Sequence, residues 1–175
     1  MLLSIEVINQ MTQAEFVQQF GPVFEETPMV AERAWAGRPF ADALDLHRKM
    51  VAVVMEHMTP SEQRTLICAH PELGAKGKMA AASVQEQASS GLSQLNDEDY
   101  RRLQRLNAAY REKFGFPFVI AVKGKTVSDV FAAIELRLGS ADVVEERVRS
   151  LTEICKIARF RLESLILQQP SQNGA

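Results

Sequence analysis

At 175 residues, 46% hydrophobic and 24% charged with 9 Gly and 7 Pro, the chain has the balance of one globular domain that buries a core without staples, not of a disordered or fibrous protein. Twenty Lys and Arg against 22 Asp and Glu leave a formal net charge of -2, which provides no basic field for nucleic acid or an anionic membrane. No apolar run approaches the roughly 18 residues of a membrane span, and no export or peroxisomal signal is legible at either end, so a cytoplasmic protein is expected.

The dominant pattern is helical, with apolar positions at three and four spacing and capping residues between segments. Thr12 and Glu15 form a capping-box pattern that opens a helix burying Phe16 and Phe20, and Gly21 is expected to close it with positive φ. Thr27 and Pro28 start a second helix that ends near Gly37, followed by an Arg38-Pro39-Phe40 corner. A helix over about Asp42–Met58 is expected to carry Leu44, His47, Met50, Val51 and Val54 on its buried stripe. Thr59, Pro60 and Glu62 begin the next, which must stop near His70 because Pro71 disfavours a helical residue before it.

Residues 74–82 read as a loop, after which Ser83 and Glu86 repeat the capping-box spacing and open a short helix closed by Gly91. Asn96 or Asp97 caps a longer helix through Tyr100, Leu103, Leu106 and Tyr110 to Gly115. Phe116–Val122 is the one β-like run, but its internal proline and the lack of a partner strand make it an extended connector. Two helices complete the chain, Ser128–Leu138 closed by Gly139 and Ala141–Gln168. The expectation is an all-α, single-domain bundle of eight to nine helices over residues 1–168, with a tail at 169–175.

Both cysteines, Cys68 and Cys155, sit in apolar helical patterns and read as buried free thiols. Of the three histidines, His47 and His57 fall where packing or capping explains them. His70 stands at a helix terminus before a proline, where an imidazole is held on a restricted backbone and can face a pocket. Ser83 and Glu86 are explained by capping alone. In the last helix Ile154, Ile157, Ala158, Arg161 and Leu165 share a face, which sets a guanidinium among apolar residues. Such an arginine needs an anion, an internal ion pair, or a stem that carries its charge out to water. Arg159, on the opposite phase, reads as solvated. No metal-ligand spacing, phosphate loop or nucleophile elbow is present, so no metal or cofactor is expected.

Several of these residues together resemble the 2-oxo-4-hydroxy-4-carboxy-5-ureidoimidazoline (OHCU) decarboxylases, enzymes of urate and purine degradation. The resemblance runs from about Thr12 to Leu167 and rests on Arg38-Pro39-Phe40, His70-Pro71-Glu72-Leu73, Ser83 with Glu86-Gln87, Leu106–Tyr110, Phe114–Ile120 and Lys156–Leu162. It implies a helical, cofactor-free carboxy-lyase that makes (S)-allantoin and CO2 from a small-molecule substrate, usually as a homodimer. It also implies a site with His70 and Glu86 in catalytic roles, and Pro71, Ser83, Gln87, the amides of Val119, Ile120 and Ala121, and Arg161 binding substrate. One departure is that the segment between His70 and Glu86 is shorter by about four residues, a difference that a loop absorbs. A related ureide-processing enzyme would share these residues, whereas a non-catalytic helical interaction module would tolerate loss of His70.

Overall fold

The computed structural model describes residues 2–75 and 81–167. Residues 76–80 of the expected loop, and the expected tail at 169–175, lie outside the described residues. Among the described residues there are nine α-helices: α1 (Ile5–Gln10), α2 (Gln13–Phe20), α3 (Met29–Trp35), α4 (Ala43–Ala52), α5 (Pro60–Ala69), α6 (Ala81–Ser89), α7 (Asp97–Phe114), α8 (Val127–Leu138) and α9 (Val143–Leu165). Among the described residues the β pairing is one isolated parallel bridge between Leu3 and Ile166, so the all-α class expected from the sequence is the class found. Among the same residues, no helix is long and apolar enough to cross a membrane. Contacts gather the described residues into two compact units, one formed by those up to Met58 together with those from Cys155 to Leu167, the other by those within Thr59–Ile154.

In the first unit, the Thr12 side chain accepts from the Glu15 amide while the Glu15 carboxylate accepts from the Thr12 amide, so two of the unpaired donors at the start of α2 are satisfied reciprocally. That helix buries Phe16 and Phe20, whose rings lie 4.8 Å apart, and Phe40 stacks on Phe16 at 5.7 Å. Gly21 does not take a positive φ. Its φ is -54° and it leads into a 3-10 turn over Gly21–Phe24, where a Cβ would meet the Pro28 side chain at 3.3 Å. Smallness is what the position requires.

A helix unforeseen in the sequence, α1, is capped by Ser4, and two further expectations in this unit are corrected. Pro28 sits at the N-cap of α3 and not at its first helical position, and no side chain caps that end. On α4 the buried stripe is Leu46, Met50, Val53 and Val54, continued through a π-helical segment over Val53–His57, while Leu44 is 50% exposed. Met50 and Val54 are buried as expected, whereas Leu44 lies two residues from Leu46, on the opposite side of a 3.6-residue period, and falls outside the stripe. His47 packs against α9, its Nε2 donating to the Cys155 carbonyl at 2.8 Å.

The second unit has the clearer local signals. Thr59 and Glu62 form the capping box of α5, with Pro60 at its first position. Asn96 caps α7, Gly115 closes it in the left-handed region at φ +77°, and Thr126 with Asp129 boxes the start of α8. Tyr110, Phe114, Phe116 and Phe118 build an aromatic cluster, with ring centroids 4.6 to 6.2 Å apart. Cys68 is exposed, contrary to expectation, because Leu66 and Ile67 take the buried face of α5; Cys155, in the other unit, is buried as expected.

Candidate active site

His70 is the C-cap of α5, with φ -77° and ψ 137°, the extended backbone that the following proline favours. The residue is 6% exposed, and its Nδ1 lies 3.0 Å from the Leu66 carbonyl, one helical turn back. A carbonyl only accepts, so Nδ1 carries the proton, and in the neutral ring the lone pair is on Nε2. The helix that positions His70 thereby also sets its tautomer.

The chain after His70 is pinned on several sides. Ala75 donates to the Glu72 carbonyl at 3.2 Å and closes a turn in which Gly74 has φ +72°. A side chain at Gly74 is excluded twice, by that φ and by Leu103, whose Cδ2 would lie 2.8 Å from a Cβ. The Gly74 amide donates to Gln87 Oε1 at 2.8 Å, Asn107 Nδ2 donates to the Leu73 carbonyl at 2.9 Å, and Arg111 pairs with Glu72 at 2.7 Å. The His70-Pro71 corner is therefore tied to both α6 and α7.

Ser83 is not the cap expected of it. It lies inside α6, buried, with Gln87 buried one turn on and Glu86 half-buried beside it. A capping serine stands outside its helix with extended backbone. Spacing of three residues marks a same-face pair inside a helix just as well, and that is what Ser83, Glu86 and Gln87 form. Gln87 links this face to the turn after His70.

The run after α7 has no regular structure and is buried from Phe116 through Val122, as an extended connector should be. Its backbone groups find partners that sequence reasoning missed. Arg137 on α8 is 8% exposed and donates from Nη1 to the Val119 carbonyl at 2.7 Å. The same guanidinium pairs with the fully buried Glu146 carboxylate, and donates to Ser150 Oγ at 2.8 Å and to Tyr110 Oη at 3.1 Å. Tyr110 donates to Glu146 at 2.5 Å, and its own burial, reinforced by that bond, pushes its pKa well above the usual tyrosine value. The Ala121 amide donates to Glu153 Oε2 at 2.9 Å. The only advance signal for this network was a charged residue, Arg137, at the inward phase of α8 with Val130 and Ile134.

Arg161 belongs to the other unit. It is 7% exposed, as its helical phase predicted, and it pairs with the buried Glu25 at 2.7 Å and donates to the Val23 carbonyl at 3.3 Å. Glu25 takes φ +51°, unusual for a residue with a side chain. Arg159 is exposed and pairs with Glu163, as expected of a solvated charge. Among the described residues, no group of three or more His, Cys, Asp or Glu is arranged to hold a metal ion.

A family model described as OHCU decarboxylase matches residues 9–163. The chain belongs to the OHCU decarboxylase family. A Haloferax volcanii 2-oxo-4-hydroxy-4-carboxy-5-ureidoimidazoline decarboxylase is 41% identical over 160 residues, which is 91% of this chain and 94% of that protein. A Bacillus subtilis uric acid degradation bifunctional protein, PucL, is 40% identical over 168 residues, covering 96% of this chain but 34% of its own length, so this family member spans about a third of that longer relative. Among solved structures, a crystal structure of (S)-allantoin synthase superposes with a TM-score of 0.75 at 27% identity, covering 94% of this chain and 54% of that one.

Proposed function

We propose that this chain decarboxylates OHCU to (S)-allantoin and CO2, with His70 handling the proton. The observation that carries the reading is His70 itself, a buried imidazole whose Nδ1–H is committed to the Leu66 carbonyl, so that proton exchange is assigned to Nε2. The substrate supplies its own electron sink. The bond to the departing carboxylate breaks, its electron pair enters the conjugated C=N of the ring, and the 4-hydroxyl becomes the product carbonyl as it loses its proton. The ring nitrogen that received the pair takes up a proton, and the proton lost by the hydroxyl is balanced by one delivered to the carbon bearing the ureido group, so one proton is taken up for each CO2 released. Delivery on one face gives one hand of product.

In this reading the protein contributes orientation, charge stabilisation and that transfer. His70 Nε2 takes the hydroxyl proton and returns one to carbon. Glu86, half-buried beside Ser83 on α6, accepts from the ureido N–H groups, and Ser83 and Pro71 shape the same wall. Gln87 contributes through the Gly74 amide, which fixes the turn that follows His70. The amides of Val119, Ile120 and Ala121 hold substrate oxygens, with the Ala121 amide shared with or exchanged from Glu153. Arg161 supplies a planar two-point contact to a carbonyl or carboxylate of the substrate. The proposed setting is the cytoplasm and the proposed assembly a homodimer, for which light scattering of the purified chain is the test.

The deciding experiment generates OHCU in situ from urate and follows optically active allantoin by circular dichroism. The protein should speed its appearance well beyond spontaneous decay, and no acceleration overturns the proposal. His70→Ala should lower the rate about 10²- to 10⁴-fold, the usual worth of general acid–base help, without changing the far-ultraviolet spectrum. Wild-type turnover in that variant removes His70 from the mechanism.

A further inference from the structure

The Val119–Ile120 peptide is held from one side. Arg137 Nη1 donates to the Val119 carbonyl at 2.7 Å, and the guanidinium is itself fixed by Glu146, Ser150 and Tyr110, all buried. Among the described residues the cis peptide bond is Arg38–Pro39, so the Val119–Ile120 bond is trans and planar. In a trans peptide the carbonyl and the following N–H point in opposite directions. A clamp on the Val119 carbonyl therefore aims the Ile120 N–H directly away from the Arg137 network. The next amide, Ala121, is taken by Glu153.

We propose that Arg137 is a positioning residue for the reaction: through the Val119 carbonyl it orients the Ile120 amide that receives a substrate oxygen. This rests on the decarboxylase reading above and sharpens it, since it singles out one of three candidate amides and names the side chain that aims it. An amide held in advance needs no reorganisation when charge develops on the oxygen it faces, which is where such a donor gains its catalytic worth. Arg137 suits the task because its planar fork meets Glu146, Val119 and Ser150 at once, and a lysine ammonium has no equivalent geometry.

Replacing Arg137 alone leaves the buried Glu146 with only the exposed Arg149 at 3.7 Å, so the test variant is the double substitution Arg137→Met with Glu146→Gln, which removes both members of the buried pair. Val130→Ala and Ile134→Val serve as controls, because each loosens the packing of the same helix, α8, while leaving the Arg137 network and its bond to the Val119 carbonyl in place. Kinetics are measured per folded molecule, well below each variant's unfolding temperature. The double variant should lose tenfold or more in kcat/KM and weaken competitive inhibition by (S)-allantoin in parallel, whereas both controls stay within twofold. In amide-resolved NMR, the Ile120 cross-peak should move on titration with (S)-allantoin in the wild type and both controls, and stay fixed in the double variant. Equal kcat/KM and equal Ile120 shifts in the double variant and the controls would overturn the inference. If the wild type itself does not accelerate allantoin formation, it is the decarboxylase reading that fails.

Discussion

Two arginines of equal burial serve this chain differently. Arg137 in the Thr59–Ile154 unit and Arg161 in the other are 8% and 7% exposed, and each meets a buried glutamate, Glu146 and Glu25. Arg137 is held between two regular helices, with its bonds spread over a carboxylate, two hydroxyls and a main-chain carbonyl. Arg161 faces a non-helical segment after the 3-10 turn, where its partner Glu25 sits at φ +51°. Strain of that kind costs about 1–3 kcal/mol and persists only where the surroundings hold it. Burial alone therefore does not mark a binding arginine. The surroundings differ: Arg137 is set among well-formed helices and reaches the Val119 carbonyl, while Arg161 meets Glu25 and the Val23 carbonyl in a segment outside the α-helices.

The sharpest way to break this comparison is to remove the positive charge of the network. Arg137→Met leaves the fully buried Glu146 with only the exposed Arg149, 3.7 Å away, as countercharge, and breaking a buried pair in this way costs about 3–5 kcal/mol. The expected result is a large fall in the urea midpoint, much of it recovered when Glu146→Gln is added; an unchanged midpoint would show that the network is not worth what its geometry suggests. Arg161→Lys should behave in the opposite way. A lysine still meets Glu25, so the midpoint should barely move, but the planar contact to substrate proposed for Arg161 is lost and kcat/KM should fall by about 10- to 100-fold, equivalent to roughly 1.4–2.7 kcal/mol. Wild-type kinetics for that variant would make Arg161 a purely structural residue, like the first arginine without its clamp.

Why one arginine was legible in the sequence and the other was not follows from range. Arg161 announces itself through neighbours three, four and seven residues away on its own helix, and so do the starts of α2 and α5, whose capping boxes close within four residues. His70 is placed by the proline that follows it. Arg137 has the same kind of phase, but its meaning comes from Val119, Tyr110 and Ser150, which lie 18, 27 and 13 residues away in sequence. Spacing has a second blind spot at Ser83 and Glu86, since three residues separate the members of a cap and equally the members of a helix face. The turn at Gly74 is readable as a glycine, yet its tie to Gln87 spans 13 residues across the segment 76–80 and appears only in the fold.

The smallest test probes the network without disturbing its charges. Tyr110→Phe removes the hydroxyl that donates to Glu146 and accepts from Arg137, a loss of about 1–2 kcal/mol at pH 7. Because burial and then the Glu146 bond raise the native pKa of Tyr110, the folded state keeps the proton that the unfolded chain releases near pH 10. The contribution of the hydroxyl is therefore fully present below pH 10 and is lost as the pH rises from there toward the raised native value. The gap in unfolding free energy between wild type and Tyr110→Phe should be constant from pH 7 to 9 and shrink by about 1.4 kcal/mol by pH 11. A gap that stayed constant through pH 11 would mean that the hydroxyl titrates alike in both states, and that Tyr110 is not the proton-retaining member of the cluster that holds Arg137 against Val119.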